Sequence, residues 1–147
     1  MSEAPPVSSL VDGWIAWCAW VSDPANRERL DGPSGHSDFL WAVEQHPERS
    51  WEAILKLVEE PRAYRYLGHL AAGPIEDLLS HHGAQFIDRI ESTARANTTF
   101  ADTLSGVWQF TMRDDIWSRV QSIKGKELTG QVHSGTPNKS FERTREG

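Results

Sequence analysis

The sequence predicts an all-α fold: a compact array of seven or eight short antiparallel helices, α-solenoid or HEAT-like, with no sheet. Three observations predict it. Apolar residues recur three and four positions apart in segment after segment. Pro and Gly punctuate these segments, leaving links of about two to five residues that favour antiparallel neighbours. No segment alternates apolar and polar side chains with the period of two that a half-buried strand requires.

Taken in order, residues 1–7 read as a loose lead, 8–123 as one helical domain and 124–147 as a disordered tail. Ser8 or Ser9 is placed to cap a first helix. Leu10, Trp14, Trp17, Cys18 and Val21 share one face of it, and Asp12, Gly13, Ala16 and Ala19 lie opposite. Asp-Pro and Gly-Pro-Ser-Gly mark residues 22–35 as containing a loop. Phe39, Leu40 and Val43 fit a short helix over residues 37–45. Pro47 then opens a helix carrying Trp51, Ile54, Leu55 and Val58. A further helix is expected over residues 62–70. Gly73-Pro74 breaks the chain, and Pro74 opens a helix with Ile75, Leu78, Leu79 and His82 on one face. Gly83 is expected as its left-handed cap. Phe86, Ile87, Ile90 and Ala94 form the next stripe. Thr98 or Thr99 is expected to cap a helix bearing Phe100, Leu104, Val107 and Trp108. Thr111 or Asp114 is expected to cap the last one, with Ile116, Trp117, Val120 and Ile123.

The chain has 147 residues, 38% of them hydrophobic and 24% charged, with a net charge of −6. That length suits one domain with one core. A single Cys excludes an internal disulfide and a Cys-rich zinc site. No apolar run approaches a membrane span, and the first 26 residues hold no Lys or Arg, so a cytoplasmic location is expected. Residues 1–60 contain eleven acidic and four basic side chains, net −7. This argues against binding a phosphate backbone there. The plainer reading of the excess is that it keeps the protein soluble, and the alternative is a basic partner.

Two stretches resemble known sequences. Leu70-Ala71-Ala72-Gly73-Pro74-Ile75-Glu76-Asp77-Leu78-Leu79 is followed by His82-Gly83, Phe86-Ile87, Ile90-Glu91, the span 104–108 and Ile116-Trp117. With His46-Pro47-Glu48 and residues 51–55 upstream, this is similar to an uncharacterised bacterial family of small Trp-containing helical domains. The shared features are the Gly-Pro-x-Glu-Asp-Leu-Leu run, the His-Gly and a later Val-Trp. The resemblance covers roughly residues 40–123. It implies a fold and carries no activity. A looser similarity to HEAT repeats points the same way. The run Pro137-Asn138-Lys139-Ser140-Phe141-Glu142-Arg143-Thr144-Arg145 resembles a translated repetitive genomic element.

Glu76, Asp77, His81 and His82 form the densest polar cluster. Asp77 and His81 are four apart and share a helix face, as an acid–base pair or metal ligands would. Adjacent histidines point about 100° apart, which suits a metal poorly. The plainer reading places the acids at a helix start and the histidines at its end, where each suits the helix dipole. Glu76 is then expected to cap free amides at the start of its own helix, with a ligand at that helix start as the alternative. Trp14, Trp17 and Trp20 span about 120° of helix, wider than one packing contact. Trp17 is expected in the core, and Trp20 is the better interface candidate. Cys18 on an apolar face is expected to be inert.

These features favour a non-enzymatic protein-binding module over an enzyme. Its partner is expected to be another protein, of basic charge, and a specific version is an immunity or antitoxin-like protein. No cofactor, nucleic acid or membrane is expected, and the protein is expected as a monomer or weak dimer. The alternative is a metal-binding or hydrolytic enzyme using Glu76, Asp77, His81 and His82. Nucleic-acid binding through Arg89, Arg95, Arg113 and Arg119 is the weakest reading.

Overall fold

In the computed structural model, which describes residues 3–128, every regular element is helical, and no strand occurs among the described residues. Helix α1 (Val7–Val21) starts directly after Pro6 with no side-chain cap, so Ser8 and Ser9 fall inside it. Its buried face is Leu10, Val11, Trp14 and Cys18, and Trp17 is only partly buried at the edge. Asp12, Ala16 and Ala19 face solvent. Gly13, expected among them, instead faces α2 (Gly35–Gln45). A Cβ on Gly35 would overlap the Gly13 carbonyl oxygen, so the two helices touch backbone to backbone.

Helix α3 (Pro47–Glu59) follows at once, with Pro47 in its first turn, where a missing N–H costs nothing. It buries Trp51, Ile54 and Val58 as its spacing predicts, with Ala53 and Leu57 beside them. Leu55 is only partly buried. Helices α1, α2 and α3 all pack against one another. Arg49 of α3 donates to the Pro5 carbonyl at 2.7 Å, holding the lead that the sequence leaves loose.

The centre of the chain departs most from expectation. A 3₁₀ segment (Pro61–Tyr66) leads into a single α turn, α4 (Leu67–Leu70). A π turn (Ala71–Ile75) continues it straight into α5 (Glu76–Ala96). Gly73-Pro74 therefore does not end one helix and open another. Pro74 lacks an N–H, and in an α turn its ring would collide with the carbonyl four residues back. The wider turn avoids this, and the Glu76 N–H donates to the Ala71 carbonyl five residues back. Gly83 is not a left-handed cap either. The chain breaks one residue earlier, at His82, whose φ of −135° and ψ of 32° are non-helical, and two helical segments of α5 meet there in a kink. Gly83 lacks a side chain where α7 crosses: a Cβ there would lie 3.2 Å from Ile116 Cγ1.

Helix α6 (Thr98–Thr103) is capped by Asn97, whose side chain accepts the Phe100 N–H at 3.0 Å. That displaces Thr98 and Thr99 from the expected role. A 3₁₀ turn (Leu104–Gly106) ends this helix, so Val107 and Trp108 lie in the following loop rather than on it. Helix α7 (Asp114–Ile123) packs on α5 through Ile116 and Val120. Arg119 spans the contact, reaching Asp88 and Glu91 at 2.6 Å each. Beyond α7, Gly125 N–H donates to the Ala101 carbonyl and Lys126 N–H to Asp102 Oδ1, at 2.7 and 2.8 Å. Leu128 packs partly on the core. The remainder of the expected tail, 129–147, lies outside the described residues. One core runs through all of these helices, from Leu10 to Val120.

Candidate functional site

The Gly-Pro-x-Glu-Asp-Leu-Leu run forms the π turn and the start of α5, and it turns Glu76 inward. Glu76 is 3% exposed, and its Oε2 accepts the backbone N–H of Trp108 at 2.8 Å. The expected role, capping the amides of its own helix, is thereby corrected. The run before Glu76 is already helical, so those amides have partners within the chain, and the carboxylate reaches across to the 107–113 loop. A carboxyl oxygen out of water is a good acceptor for a part-buried backbone N–H.

The other members of the polar cluster point elsewhere. His82 Nε2 lies 3.0 Å from the Val43 carbonyl, so that nitrogen carries the proton and satisfies one of the last carbonyls of α2. The break at His82 directs the ring there. His81 is exposed; its Nδ1 bonds the Asp77 carbonyl at 2.9 Å, and its Nε2 is 3.9 Å from Glu44 of α2. Asp77 is half-buried. Among the described residues, no group of three or more His, Cys, Asp or Glu is arranged to hold a metal ion. Cys18 is fully buried, and burial pushes its thiol far above the ordinary range, so it keeps its proton.

The tryptophans divide differently from the expectation. Only Trp14 and Trp51 are buried; Trp17, Trp20, Trp41, Trp108 and Trp117 are half-buried. Trp20 lies against its own 22–34 loop, where a Cβ on Gly32 would meet its ring at 2.7 Å, and Asn26 Nδ2 donates to its carbonyl. Trp17 joins an aromatic row assembled from four elements. His36 of α2 stacks on it at 4.5 Å between ring centres. His69 of α4 meets it edge-on at 6.0 Å, and Tyr66 approaches His69 at 5.9 Å. Burial holds the His36 imidazole below the ordinary histidine range. Sequence reading missed His36 and His69. They lie 33 positions apart on separate elements, and no local spacing signals their meeting.

The acidic excess is partly neutralised from within. Arg62 pairs with Asp12 and Glu60, and Arg89 with Glu48 through two bonds of 2.6 and 2.7 Å. Arg95, Arg113 and Arg119 likewise contact carboxylates, so all four arginines considered for nucleic-acid binding are paired. No helix among the described residues is long and apolar enough to cross a membrane.

The family of unknown function DUF6869 matches residues 31–128, most of the chain, and the chain belongs to it. The match extends at both ends beyond the 40–123 span on which the sequence resembled an uncharacterised family, and it includes the π turn, Glu76 and Trp108. No curated protein and no solved structure matches the chain.

Proposed function

We propose that this member of a family of unknown function is a non-enzymatic protein-binding module for a basic partner protein. One observation carries the reading: the motif's polar residues hold helices and loops together, while five tryptophans keep part of their rings in water. Half-exposed Trp is the side chain most favoured as an interface anchor. Residues 3–128 hold 19 acidic and 12 basic side chains, net −7. Among the carboxylates facing outward on α2 and α3 are Asp38, Glu44, Glu52 and Glu59. A field of that sign speeds encounter with a cation-rich surface and disfavours acidic partners. The reading includes a HEAT-like stacking of helix pairs, a cytoplasmic location, a monomer or weak dimer in solution, and an immunity-like version in which the partner is a toxin. The metal-dependent alternative through Glu76, Asp77, His81 and His82 gains no support from their divergent contacts.

The test is affinity capture from the native host with the wild-type chain and a Glu44→Lys/Glu52→Lys/Glu59→Lys variant side by side. A partner retained by the first, lost by the second and released by salt is the expected result. A partner indifferent to both salt and charge reversal would sink the basic-partner reading.

A further inference from the structure

The loop between the Leu104–Gly106 turn and α7 presents an aromatic ring in a way that packing does not require. Phe110 is 66% exposed, and it is the one non-glycine residue with positive φ (48°) among the described residues. Left-handed backbone is unfavourable for a side chain with a Cβ, and Gly or Asn is the usual occupant. Such strain persists only where the surroundings impose it, and here they do. Val107 and Met112 are buried on either side. The Trp108 N–H is tied to buried Glu76. The Met112 N–H closes a turn on the Gln109 carbonyl at 2.7 Å, and Gln109 Nε2 donates to Asp114 Oδ1 at 2.7 Å. Every anchor lies beside Phe110, while its own ring stays outside. The other two large exposed apolar residues, Leu30 and Tyr64, have no such strained backbone.

We propose that Phe110 is the central anchor of the partner-binding surface, its ring entering an apolar pocket on a basic partner protein. This rests on the protein-binding reading above and deepens it. A loop already tied down on both sides of Phe110 loses little further freedom on docking, and a buried aromatic ring is a frequent centre of binding energy. The occupant is another protein rather than a second copy of this chain. A net charge of −7 over the described residues makes two copies repel, whereas it attracts a basic surface.

Two experiments test the assignment. In thermal melts, Phe110→Ala stays within about 2 °C of wild type and Phe110→Gly melts at the same temperature or higher. A fall beyond about 5 °C in both would make the ring a structural element and overturn the proposal. In the native host, a photo-crosslinking phenylalanine analogue replaces Phe110 or, as control, Leu30 in the full chain. The expected adduct forms only from position 110 and is identified by mass spectrometry as a basic protein. That protein, purified, binds Phe110→Ala at least about tenfold more weakly than wild type. An adduct of twice the chain's own mass, or equal affinity for the two forms, overturns the proposal. If affinity is unchanged by Phe110→Ala but lost on charge reversal of α2 and α3, the anchor fails while the protein-binding reading stands. If neither position yields an adduct and wild type captures nothing, both fail.

Discussion

The buried carboxylate of Glu76 and the backbone N–H of Trp108 meet at 2.8 Å across 32 residues of chain. This contact fastens the 107–113 loop to the start of α5. Truncating Glu76 to Ala leaves a part-buried amide without that acceptor, which costs about 1–3 kcal/mol. Glu76→Gln keeps a side-chain oxygen in place and should lose less. Urea unfolding of the three proteins checks the order. A Glu76→Ala chain as stable as wild type would remove the contact from the account of the fold.

The Gly13–Gly35 contact predicts an asymmetry. A Cβ at Gly35 collides with the Gly13 carbonyl, whereas a Cβ at Gly13 meets Gly35 Cα at an ordinary 3.5 Å. Gly35→Ala should therefore destabilise by about 1–3 kcal/mol through overpacking. Gly13→Ala should be neutral or stabilising by up to about 1 kcal/mol, because Ala is the better helix former. Equal effects in denaturant melts would mean that α1 and α2 do not touch there.

Trp51 meets Phe86 and Phe100 at 5.9 Å each and is 7% exposed. Trp51→Ala should cost about 3–5 kcal/mol, as expected for deleting a core aromatic. A loss below about 1 kcal/mol in chemical unfolding would contradict the packing of α3 on α5 and α6.

His36 should make the protein less stable in acid. Its folded pKa lies below the ordinary 6.5 because its stacked position on Trp17 is partly desolvated. Above pH 6.5 the imidazole is neutral in both states and contributes nothing to the slope. Below it the unfolded chain takes up the proton first, so stability falls as pH drops from 6.5 towards the folded pKa. The difference between wild type and His36→Gln, measured by urea unfolding at pH 7.5 and pH 5, isolates this residue. A difference that does not change with pH would refute the assignment.

Residues 124–128 should behave as part of the folded unit. Ending the chain after Ile123 removes the Gly125–Ala101 and Lys126–Asp102 hydrogen bonds and the Leu128 contact. Relative to a chain ending at Leu128, that cut should cost about 1–3 kcal/mol. Equal melting temperatures would show that this segment only rests on α6.

Helical stripes were legible because each one is a local property. Trp51, Ile54 and Val58, or Phe86, Ile87 and Ile90, need only the 3.6-residue period to fall on one face. The polar cluster is legible because its residues are neighbours in sequence, whereas the direction in which each side chain reaches is not. Adjacent side chains on a helix diverge. Glu76 reaches the 107–113 loop, His82 reaches α2, and His81 stays outside.

The helical class, most of the buried faces and the family follow from period and local motif alone. The roles of Gly and Pro emerge only from the packing of the helices. Gly83 and Gly13 make room for neighbouring helices, and Gly73-Pro74 widens a continuous helix into a π turn. The same residue types in a sequence also signal ends and caps, and the two uses differ only in what packs against them. The meeting of His36, Trp17 and His69 was likewise decided in three dimensions. It depends on how α1 packs on α2 and on the 3₁₀ segment leading into α4, for which one chain's local spacing carries no information.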